Sequence, residues 1–64
     1  MFCRIEYLNR AVGMKPHVVL VQYKSAASLG EMMEFADRVS ATRGAAGYRL
    51  HDLHTDEVTE IWGA

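Results

Sequence analysis

Three observations predict an α+β domain with one helix packed on a largely antiparallel sheet. Two strand-like runs open the chain, a capped amphipathic segment follows, and two more strand-like runs close it. The predicted order is β-β-α-β-β in a single small domain over residues 1–64. Strands are expected at about 2–8, 17–24, 47–54 and 57–62, with a helix at 29–43.

Phe2 to Leu8 alternates apolar and charged residues and sets Cys3, Ile5 and Tyr7 on one face, the pattern of a half-buried strand. Asn9 to Pro16 is a connector longer than a tight hairpin turn, and it holds Val12, Gly13, Met14 and the only proline. His17 to Tyr23 is a continuous β-branched and aromatic run. It reads as a central strand covered on both faces.

Ser28 and Glu31 have the spacing of a capping box, in which each side chain satisfies the other residue's backbone N–H. Leu29, Met32, Met33, Ala36 and Val39 then form an apolar stripe at helical spacing. Acids cluster near the start of the segment and Arg38 and Arg43 near its end, as the helix dipole favours. Gly44 suits the left-handed residue that stops a helix.

Tyr48 and Leu50 resume a period of two that Leu53 breaks, so a bulge is expected near His51–Asp52. Thr55 to Glu57 reads as a turn. Val58 to Trp62 reads as a closing strand, with a short helix over 56–62 as the rival. One helix covers only one face of a sheet. The other face is expected to carry some of Phe2, Leu8, Val18 and Leu20 with Ile61 or Trp62, more apolar surface than a solvated face holds. That points to a second copy or a partner.

Size leads the same way. Folding 64 residues buries roughly 3,800 Å² of apolar surface, about 95 kcal/mol at ~25 cal/mol per Å². Ordering the chain costs about 96 kcal/mol. A single cysteine, Cys3, leaves no disulfide to help, so a homodimer or a bound partner is expected. The lone cysteine and the absence of a signal-peptide pattern suggest a reducing, cytoplasmic setting. No window approaches 18 apolar residues, which argues against a membrane span.

The net charge of −1 weighs against non-specific nucleic-acid binding. Residues 1–27 nonetheless carry +3 and the remainder −4. A β-ribbon nucleic-acid reader built on Arg4, Arg10, Lys15 and Lys24 is therefore the first alternative. A metal site at His51 and His54 is the second, although residues three apart in a regular strand point to opposite faces. Cys3 fits a buried small hydrophobe better than a nucleophile beside His17 or His51. The acid pairs Glu57/Glu60 and Asp52/Asp56 read as a solvated edge. The five glycines form no phosphate loop.

The expected function is non-enzymatic, with no cofactor: a protein-binding regulator, adaptor or inhibitor, of the kind phages and mobile elements use as accessory proteins. The phage association rests on size alone. Soft methionines and the aromatics Tyr7, Tyr23, Tyr48 and Trp62 are interface residue types. The expected partner-binding residues are Val12, Met14, Lys15 and Trp62.

Overall fold

The computed structural model describes residues 1–10 and 13–63. Four strands, β1 (Phe2–Asn9), β2 (His17–Ser25), β3 (Gly47–Asp52) and β4 (Val58–Trp62), form one antiparallel sheet in the order β2-β1-β3-β4. Among the described residues there is one helix, α1 (Leu29–Arg43), and it covers one face. The fold class and the β-β-α-β-β order are as predicted.

Strand β1 is central, and its alternation explains the core. Cys3, Ile5 and Tyr7 face the helix and are fully buried, joined by Tyr48 and Leu50 from β3 and by Met32 and Ala36 from α1. The Tyr7 hydroxyl donates to Gln22 Oε1 at 2.9 Å, and the Tyr48 hydroxyl donates to Asp37 Oδ1 at 2.8 Å. Each buried phenol thus meets a partner rather than losing its hydration unpaired.

The helix is capped as its residues require. Ser28 is extended and its Oγ accepts the Glu31 N–H at 3.2 Å. Gly44 adopts φ 69° and its N–H, like that of Ala45, donates to the Ser40 carbonyl. The buried stripe is rotated from the predicted one. Met32, Ala36 and Ser40 form its centre at i, i+4 and i+8, flanked by Met33, Phe35 and Val39. Leu29, at the helix start, stays exposed beside a small cavity.

Two predicted strand features are corrected. Strand β2 is an edge strand, not a central one covered on both faces, and Val18, Val19, Val21 and Tyr23 are exposed. The physical reason is the lack of a second covering layer: one helix leaves no element to bury the far side. The expected bulge at His51–Asp52 is instead a strand end. The Asp52 carboxylate accepts the N–H groups of His54 and Thr55 at 2.9 and 3.3 Å and turns the chain. A bulge occurs elsewhere, where Tyr7 pairs with Leu20 but Leu8 pairs with Val18, leaving Val19 as the extra residue. Residues 58–62 are strand, not helix.

Candidate interaction surface

The face opposite the helix follows from the pairing register. Residues opposite one another in antiparallel strands share a face. Phe2, Arg4, Glu6 and Leu8 of β1 therefore lie on the open face with Tyr23, Val21 and Val18 of β2. Arg49 and His51 of β3 and Val58, Glu60 and Trp62 of β4 complete it. Of the residues expected there, Phe2, Leu8, Val18 and Trp62 belong to it. Leu20 and Ile61 point to the helix side and pack on the core.

A charged ribbon crosses the middle of this face. Glu6 forms an ion pair with Arg4 Nη2 at 3.1 Å and accepts from Arg49 Nη1 at 2.9 Å, and Arg49 also reaches Glu60 Oε1 through Nε at 3.2 Å and Nη2 at 3.0 Å. These hydrogen bonds to Glu6 and Glu60 raise the Arg49 pKa and keep its guanidinium charged. The Trp62 indole N–H donates to Glu60 Oε2 at 3.0 Å. That bond, with Arg49, holds the Glu60 carboxyl below its ordinary range. Four charges are thereby tied to one another across three strands.

Apolar groups flank the ribbon on both sides. On the β2 side, Tyr23 is 60 % exposed and stacks on Phe2 with ring centroids 6.2 Å apart, beside Val21 and Val18. On the β4 side, Trp62 and the exposed Val58 form a second patch. Trp62 is half-buried: its ring lies over Gly47 and under the Arg10 guanidinium, 4.7 Å from the ring centroid.

The expected partner-binding residues are dispersed. Val12 lies outside the described residues. Met14, 63 % exposed, and Lys15 sit in the β1–β2 connector, while Trp62 belongs to the open face. Sequence reasoning missed Val21 as a surface residue because β2 read as a buried strand. Tyr7 and Tyr48, counted as interface types, are core.

The cations proposed for nucleic acid do not gather. Arg4 is paired to Glu6 on the open face, and Arg10 stacks on Trp62. Lys24 is on the helix side with Nζ 4.4 Å from the Phe35 ring centroid, and Lys15 is in the connector. The two histidines also diverge. His51 Nε2 pairs with Asp56 Oδ1 on the open face, whereas His54 lies in the turn after β3. Among the described residues, no three His, Cys, Asp or Glu side chains converge as a metal-holding group.

Cys3 is buried on the helix side of the sheet, away from His51, and desolvation pushes its thiol pKa up. The cavity beside it, of about 30 Å³, is lined by Met1, Leu29, Leu50, Asp52, Glu57 and Thr59. A space of that size holds about one water molecule. Among the described residues, no helix is long and apolar enough to cross a membrane. No family model matches this chain, and comparison with curated proteins and with solved structures gave no significant match.

Proposed function

We propose that this chain is a non-enzymatic protein-binding module, acting as a regulator, adaptor or inhibitor in a reducing, cytoplasmic setting. The observation that carries the reading is the open sheet face. Its exposed aromatic and valine side chains, Tyr23, Phe2, Val21 and Val18, border a ribbon of ion-paired charge. Protein interfaces combine such groups, with large side chains supplying affinity and fixed charges supplying orientation. The ribbon is internally neutralised, since Arg4 and Arg49 are matched by Glu6 and Glu60. A surface of that kind suits a mixed protein surface better than a phosphate backbone, which rewards unopposed cations.

The test is affinity capture from a native lysate at two salt concentrations, with protein and nucleic acid both identified in the eluate. The captured protein is then purified and titrated against wild type, Tyr23→Ala and Glu34→Lys. Glu34 lies on the exposed side of α1, so its variant controls for charge and handling. The reading predicts a near-stoichiometric protein whose affinity drops at least about tenfold with Tyr23→Ala and is unchanged with Glu34→Lys. Capture of nucleic acid alone, released by high salt, contradicts it.

A further inference from the structure

Strand β2 presents a bonding edge as well as an apolar face. Met1 and Ala26 exchange both backbone hydrogen bonds, N–H to O at 2.8 and 2.9 Å. Alternation along an antiparallel pair then makes Lys24, Gln22 and Leu20 the residues bonded to β1. The N–H and C=O groups of Ser25, Tyr23 and Val21 therefore point outward, away from the sheet. The bonds from Leu53 N–H to the Phe2 carbonyl and from Ala46 N–H to the Leu8 carbonyl fix the same alternation on the far side of β1.

Edge strands are ordinarily shielded by brevity, charge or a covering element. The opposite edge, β4, has five residues and carries Glu60 among its outward-bonding positions. Strand β2 has nine residues, and its one lysine, Lys24, is drawn onto the Phe35 ring on the helix side. No charged side chain guards the outward positions of β2.

We propose that β2 pairs antiparallel with β2 of a second copy, about a two-fold axis at Gln22, joining the two sheets into one of eight strands. The outward-pointing groups of Val21, Tyr23 and Ser25 allow registers centred on Val21, Gln22 or Tyr23, and side-chain pairing favours the one at Gln22. It bonds Val21 of each copy to Tyr23 of the other, twice over by symmetry, and an aromatic opposite a β-branched residue is a favourable cross-strand pair. It sets Lys24 opposite Leu20, so no like charges meet. Tyr23, already stacked on Phe2, gains the second copy's Val21 on its open side. The 64-residue chain, marginal in core area, thereby gains buried surface.

The dimer uses Val21 and Tyr23, which the partner-binding reading also uses, but its test concerns the chain alone and is read without any captured protein, so the two can fail separately. Sedimentation equilibrium of the full chain from about 1 μM to about 1 mM tests it. A species of twice the chain mass is expected within that range. Val21→Pro removes the outward N–H together with the valine side chain and spares the hydrogen bonds of the β1 ladder. Losing two hydrogen bonds per dimer weakens association about thirtyfold. Tyr23→Lys, which puts a charge beside the axis and opposite Val21 of the second copy, weakens it in the same direction and decides the matter alone if Val21→Pro does not fold. A second readout is amide exchange at Val21, Tyr23 and Ser25, which slows as concentration rises. A chain monomeric at every concentration overturns the proposal, and so does a dimer that folded Val21→Pro and Tyr23→Lys leave intact.

Discussion

Trp62 roofs Gly47: the indole of β4 lies so close over the β3 backbone that no side chain fits between them. A Cβ added at Gly47 would fall 2.9 Å from Trp62 Cε3 and would meet the Ile61 carbonyl oxygen. The glycine is therefore required by close approach. Gly47→Ala is expected to destabilise the domain by about 2 kcal/mol or more, the scale of overpacking a tight site. Thermal or denaturant unfolding checks it. Unchanged stability would mean that both the indole and the Ile61 backbone carbonyl give way freely.

Ser40 is the last residue of the buried Met32–Ala36–Ser40 line, fully buried, with its hydroxyl oxygen lacking a hydrogen-bond partner. An unpaired buried hydroxyl costs desolvation with no return. Ser40→Ala is accordingly expected to stabilise the protein by about 1 kcal/mol. Denaturant midpoints of the two proteins measure it, and a loss of stability would reveal a bond to the hydroxyl.

Glu6 is the hinge of the charged ribbon, with only 16 % of its side chain exposed between Arg4 and Arg49. A double-mutant cycle with Glu6→Gln and Arg49→Met is expected to give a coupling of about 1 kcal/mol, between that of a surface pair and that of a buried one. Raising the salt should reduce it only partly, because the pair is half-buried. A coupling near zero would make the ribbon ornamental to stability.

Burial pushes the Tyr7 phenol up to about 12 from an ordinary 10. The Tyr48 phenol rises further, by burial and then by its bond to Asp37. Folded-state values above the unfolded ones mean that the unfolded chain releases these protons first. The stabilisation is complete below pH 10 and is lost as pH rises toward 12 and beyond. Denaturant unfolding across that range should show falling stability, with a shallower slope in Tyr7→Phe and in Tyr48→Phe. Tyr48→Phe should also cost about 1 kcal/mol at neutral pH through the lost bond to Asp37.

Local physics made much of this fold legible. The Ser28–Glu31 spacing and Gly44 mark the helix ends because capping depends on neighbours in the chain. The alternation of Cys3, Ile5 and Tyr7 identifies the inward face of β1 for the same reason. Strand order is different, because it depends on which distant runs pair. The valine-rich run of β2 looks like a covered strand, yet it sits at an edge. The single helix already contained that outcome, since no strand of a two-layer domain is covered twice. The rotation of the helix stripe toward Ser40 was not readable either. It is set by packing in the cluster that Met32 and Ala36 share with Tyr48 and Leu50, a tertiary matter. The open face was foreseen as apolar. Its charged ribbon was not, because Arg4, Glu6, Arg49 and Glu60 come together only through the β1–β3–β4 register.

The most direct test of the open face as the binding surface is a methyl NMR titration of this chain with the purified captured protein. Val18, Val21 and Val58 report on the open face, while Leu29 and Val39 report on the helix side. The account predicts that the first three resonances shift or broaden at stoichiometric partner while Leu29 and Val39 stay in place. Movement confined to Leu29 and Val39, with the three open-face valines unperturbed, would contradict it.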